Sequence, residues 1–276
     1  MGYFVEVSGK VKIYVEDLNP NAEKAIVFLH GWPGDHTLFE YQFDKLYSLG
    51  YRCIGLDTRG FGNSDKPCWG YDYNTLSDDV REVVEALGLR NFTLLGHSTG
   101  GAIAARYMGR HKEYGVRNLV LVAAAAPSLI KRPNFPYGVE KLSIIQTIND
   151  TYNDRPQMLR NFGARFFFKN TSEAFNDWFF QIGLKAAGWA TAAVAQTWIN
   201  EVLFEDLKKI SVPTLIMQGV HDKIVPMELA DEQHRLIRNS KLATFEYSGH
   251  GVFYDQKDEF NDILVRFVEN RLYRLY

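Results

Sequence analysis

Cysteine is scarce in this 276-residue chain, which carries Cys53 in an apolar segment and Cys68 in a polar loop. Two cysteines make neither a disulfide framework nor a thiolate metal site, and a reducing cytoplasm is the expected setting. An excess of one charge is lacking too, because 31 Lys and Arg stand against 33 Asp and Glu for a formal net charge of -2. Without the basic footprint that phosphate neutralisation needs, nucleic acid is not an expected partner. No apolar run is long enough to span a bilayer. The opening residues Met1-Gly2-Tyr3-Phe4-Val5-Glu6-Val7 have neither the basic nor the apolar region of a secretory leader. Glu6 stands where a myristoylation signal needs Ser or Thr. Also absent are H-E-x-x-H, C-x-x-C, a P-loop lysine and a G-x-G-x-x-G that opens a helix after a strand. No metal, no cofactor and no membrane are therefore expected. The sequence shows no internal repeat and sets no oligomeric state.

What the chain does have is 46% hydrophobic content, enough for one large core. Its first fifteen residues alternate in the manner of a hairpin. Residues 25–29 and 52–56 are short continuous apolar runs that stop at His30 and Asp57, the pattern of strands buried on both faces of a parallel sheet. Leu76, Val80, Val83, Val84 and Leu87 recur at helical spacing behind Thr75 as candidate cap, with Gly88 as the stop. Further strands are expected at 92–95, 119–125, 212–217 and 243–247, with helices at 99–110 and around Phe260 to Val268. This alternation predicts an α/β fold with a mostly parallel central sheet flanked by helices. From Ser128 to about Glu205 the strand pattern stops, and the aromatic stretches 166–168, 178–180 and 189–198 suggest helices. We read residues 128–205 as a helical cap inserted over one sheet edge of a core formed by 1–127 and 206–276.

Gly96-His97-Ser98-Thr99-Gly100 is G-x-S-x-G between an expected strand and an expected helix, the setting of a nucleophile elbow. A serine hydroxyl needs a base, and that base needs an orienting carboxylate. His250, in Ser248-Gly249-His250-Gly251 after the last strand, is the candidate base. His30 ends a strand, His97 belongs to the elbow, and His36, His111 and His234 sit in polar stretches. His221 adjoins Asp222, which follows the strand ending near Met217 and is the candidate acid. The order Ser98, Asp222, His250 is that of an α/β-hydrolase triad. The oxyanion donors expected are the backbone N–H groups of Thr99, after the nucleophile, and of Trp32, in His30-Gly31-Trp32-Pro33-Gly34. Pro33 has no N–H to offer.

The motifs at 30–34, 57–65, 96–111, 119–127, 218–226 and 248–251 resemble those of the α/β-hydrolases over nearly the whole chain, and within them the cofactor-free haloperoxidase, aryl esterase and perhydrolase group. His97 stands where that group carries phenylalanine. The resemblance implies an α/β-hydrolase fold with a cap that shapes an apolar pocket. It places Trp32, Ile224, Val225 and Val252 near the acyl or leaving-group side, and makes Asp57 to Ser64 a loop that supports the site. The expected reaction is serine-dependent cleavage of a small-molecule ester or lactone through an acyl-enzyme, with hydrogen peroxide able to replace water. Alternatives are amide or lactam hydrolysis, acyl transfer to an alcohol, and a small-molecule receptor built on the same fold.

Overall fold

The apolar runs become adjacent strands at the centre of one sheet in the computed structural model, which describes residues 1–271. Strands β1 (Gly2–Val7) and β2 (Val11–Leu18) form the N-terminal hairpin, and β3 (Ala25–Leu29) and β4 (Arg52–Leu56) follow. After them come β5 (Phe92–His97), β6 (Val116–Val122), β7 (Thr214–Gly219) and β8 (Ser240–Phe245). The eight strands lie in the order β1-β2-β4-β3-β5-β6-β7-β8. β1 pairs with β2 and β2 with β4 antiparallel, while all pairings among β3 to β8 are parallel. β3 and β5 are buried at every position, as strands covered on both faces by helices must be.

The covering helices include α1 (Glu40–Ser48), α2 (Tyr73–Ala86) and α3 (Thr99–Arg110). Between β6 and β7 lie α4 (Lys141–Gly163), α5 (Glu173–Leu184), α6 (Gly188–Asn200) and α7 (Phe204–Lys209). α8 (Met227–Leu236), α9 (Val252–Asp255) and α10 (Lys257–Val268) are the last helices among the described residues. No helix among the described residues is long and apolar enough to cross a membrane.

Several boundaries differ from the sequence reading. Asp72, not Thr75, caps α2, its carboxylate accepting from the Thr75 N–H at 3.0 Å, so the helix starts earlier. β6 begins at Val116 and ends at Val122, because Ala123 takes a left-handed φ of 45° that stops an extended strand. β7 and β8 are likewise shifted, to 214–219 and 240–245. Phe166 to Phe168 is not helical but part of the turn that follows α4. α4 itself is broken at Asp154 (φ -152°, ψ 76°), whose carboxylate accepts from the Gln157 N–H and so caps the second half ahead of Pro156.

Candidate active site

Ser98 is the single residue between β5 and α3, and it has φ 54° and ψ -119°. A non-glycine residue adopts such angles only when its surroundings enforce them. The enforcement comes from close backbone packing on both sides. A Cβ on Gly100 would lie 2.2 Å from the Leu29 carbonyl oxygen, and one on Gly96 would lie 2.4 Å from the Gly100 carbonyl oxygen. The glycines of the motif thus let α3 press against β3 and β5, and the sharp turn presents Ser98 to a cavity.

Asp222 follows β7 and His250 follows β8, and the two meet with Nδ1 to Oδ2 at 2.8 Å, both side chains buried. The Asp222 carboxylate is fully occupied. Its Oδ1 accepts from the N–H groups of Ile224 (2.8 Å) and Val225 (2.9 Å), and its Oδ2 also accepts from Gln218 Nε2 at 3.0 Å. These donors aim the carboxylate at Nδ1 of His250. The opposite nitrogen, Nε2, is buried and has no hydrogen-bond partner among the described residues. It is the atom that can accept a proton.

His97 shapes this environment from beneath. Its Nε2–H donates to the His250 carbonyl oxygen at 3.1 Å, and the two rings lie 4.6 Å apart. Burial, reinforced by the neighbouring His250, holds the His97 imidazole well below its usual range, so it is neutral. A Cβ on Gly31 would lie 2.5 Å from His97 Nδ1 and 3.0 Å from Ser98 Cβ, which places the 30–34 loop directly against the elbow. The backbone N–H groups of Trp32 and Thr99 donate to no protein group among the described residues. Two unpartnered amides beside a strained serine suit a developing oxyanion.

The cavity that Ser98 lines has a volume of about 150 Å³. Trp32 and Ile224 are on its wall, as expected, joined by Leu129, Ile144, Met158, Phe162 and Trp198. Val225 and Val252 are not brought to it. Both are fully buried in the core, because Val225 contributes its N–H to Asp222 and Val252 opens α9 inward. The aromatic wall joins the loop after β3 to α4 and α6. Trp32 packs edge-on against Phe162 and Trp198, and its Nε1–H reaches the Thr191 carbonyl of α6 at 3.0 Å. Trp198 Nε1–H donates to Thr99 Oγ1 at 3.1 Å, a contact the sequence reading did not single out.

The 57–64 loop supports the site through buried polar contacts. Thr58 N–H donates to His30 Nε2 at 3.0 Å, and burial keeps that imidazole below its usual range. His36 does sit among polar groups, but it is buried, its N–H and Nδ1 both on Asp57 Oδ1 at 2.8 and 2.7 Å. Asp35, His36 and Asp57 have ligand atoms within 4.8 Å of one another. Protein donors already engage them, including the Lys185 ammonium on Asp35 at 2.9 Å, which supplies the cation such a cluster would seek. His221, the rival to His250, is exposed and stacks on Phe168 with ring centres 4.3 Å apart.

A family model described as the alpha/beta hydrolase fold matches residues 24–257. An esterase from Exiguobacterium antarcticum is 43% identical and superposes with a TM-score of 0.95 over 98% of this chain and 100% of that one. A bromoperoxidase from Bacillus anthracis is 32% identical with a TM-score of 0.93, over 98% of this chain and 100% of that one. A bifunctional esterase/perhydrolase from Acinetobacter calcoaceticus is 31% identical over 98% of this chain and its own full length. The parallel sheet, the elbow at its carboxyl edge and these likenesses agree, and the chain belongs to the alpha/beta hydrolase fold family.

Proposed function

We propose that this protein is a serine hydrolase that cleaves small carboxylic esters or lactones. Ser98 is the nucleophile, His250 the general base and Asp222 the group that orients His250. The observation that carries the reading is the strained Ser98 backbone, held at φ 54° on the wall of a cavity whose lining mixes apolar and polar side chains. A strained serine is maintained only where the surrounding packing over-determines it. His250 takes the Ser98 proton through Nε2 as Oγ attacks the carbonyl, and Asp222 stabilises the imidazolium that results. The N–H groups of Trp32 and Thr99 receive the oxyanion. The leaving alcohol takes the proton from His250, and water activated by the same nitrogen then releases the acid. Hydrogen peroxide in place of water would release a peracid, a reading favoured by likeness to the esterase/perhydrolase and the bromoperoxidase.

The helices between β6 and β7 supply much of the cavity wall, which supports reading 128–205 as the cap and the rest as the catalytic core. A p-nitrophenyl ester series from acetate to octanoate, run on the wild type and Ser98→Ala, tests the assignment. We expect turnover in the wild type and a loss on the order of 10⁶-fold in kcat for the variant. A folded wild type as inert as the variant would refute the esterase reading in favour of a lactam hydrolase or a receptor.

A further inference from the structure

Asp255 closes α9 and is fully buried, yet it forms no ion pair among the described residues. Its carboxylate is instead held by backbone amides from two separate segments. Oδ2 accepts from Gly249 N–H and from Phe168 N–H, each at 2.9 Å, and Oδ1 accepts from Lys169 N–H at 3.0 Å. Burying a carboxylate without a cation is costly unless its lone pairs are met by well-directed donors. The site is therefore built for this acid, and what it joins is informative.

Gly249 precedes His250 directly, and Phe168 and Lys169 belong to the turn that follows α4. A second bond joins the same two segments, from Gly251 N–H to the Phe166 carbonyl at 3.0 Å. The Phe166 ring also stands edge-on to the His250 imidazole at 4.9 Å. The last turns of α4 line the cavity through Met158 and Phe162, and Arg165 in the turn that follows does so too. One carboxylate thus ties the wall of the cavity to the loop that carries the base.

We infer that Asp255 is a positioning residue for His250, acting through the Gly249 amide and anchored on the turn after α4. The inference rests on His250 being the base of the proposed hydrolase. Without the clamp, the 249–251 loop keeps its ties from His97 to the His250 carbonyl and from Gly251 to the Phe166 carbonyl but loses the anchor of the Gly249 amide on the turn. The imidazole then spends less time aligned with Ser98, a defect of the chemical step and not of ester binding.

The test is steady-state hydrolysis of p-nitrophenyl butyrate by the wild type, Asp255→Ala and Asp255→Asn, with each rate divided by the serine titrated with a fluorophosphonate. Asp255→Ala is expected to lower kcat per titrated serine by roughly ten- to a hundredfold with KM changed by less than about twofold. Asp255→Asn, which retains one acceptor oxygen, should fall between the two. If Asp255→Ala is not recovered folded, Asp255→Asn decides by the same split. A kcat per titrated serine equal to wild type, or a change confined to KM, would overturn the positioning role while leaving the esterase reading intact. A wild type that titrates and hydrolyses nothing would overturn the esterase reading and the inference with it.

Discussion

At the scale of single residues, the site depends on where side chains are missing. Gly31 brings the 30–34 loop, proposed to hold the oxyanion, against the elbow, and any Cβ there meets His97 Nδ1 at 2.5 Å, a ring buried among Phe39, Phe166 and Phe253 that has nowhere to go. Gly31→Ala should push the Trp32 amide away from Ser98. Losing one oxyanion donor costs about 2.7–4 kcal/mol of transition-state stabilisation, so kcat should fall by roughly 10² to 10³ in an ester assay. Gly100→Ala is more severe, because its Cβ would enter the Leu29 backbone at 2.2 Å, and it should reduce folded yield before activity can be compared. Soluble expression and thermal melting of the two variants, side by side, check that ranking.

At the scale of elements, the 57–64 loop and the turn after β3 are joined by charge. Burial disfavours the charged form of both His36 and Asp57, but their mutual hydrogen bond and attraction outweigh it. The imidazole is raised above its ordinary 6.5 and the carboxylate lowered below its ordinary 3.8. The raised His36 contributes stability that is whole below 6.5 and is lost as pH rises through its folded value. The lowered Asp57 contributes stability that is whole above 3.8 and is lost as pH falls through its folded value. The pair therefore contributes fully between 3.8 and 6.5. His36→Gln should lower the melting temperature most within that window, with the gap to wild type narrowing at higher pH. A gap independent of pH across a melting series would show that the pair does not act as an ion pair.

At the scale of the molecule, the sheet core and the helices between β6 and β7 share one apolar cluster that includes Trp32, Phe162 and Trp198. Polar ties reinforce it, among them Lys185 on Asp35, Ala187 N–H on the Gly60 carbonyl at 2.9 Å and Trp198 on Thr99. Denaturant unfolding followed by tryptophan fluorescence and by far-ultraviolet ellipticity should give coincident curves, since neither part can release its aromatic face alone. Trp198→Phe keeps the apolar contact but removes a buried hydrogen bond. It should cost about 1 kcal/mol in the same measurement.

The sequence by itself determined the alternation of strand and helix, the central strands to the residue in β3 and β4, and the elbow serine. These were legible because each rests on a local cause: continuous apolar runs make doubly covered strands, and glycines around a serine permit a turn that other residues resist. The pairing of Asp222 with His250 was legible only by chain order, and folding supplied the 2.8 Å contact. Tertiary structure alone decided the rest. Val225 and Val252 stand close in sequence to Asp222 and His250, but their side chains turn into the core, and no local pattern says which way each valine points. Asp255 reads in sequence as one acid among several at the start of a helix, and its partners are the nearby Gly249 amide and two backbone amides 86 and 87 residues away, which carry no side-chain signature. Local propensities are written in neighbouring residues, whereas a cavity wall and a buried carboxylate's donors exist only once distant backbone segments have been packed together.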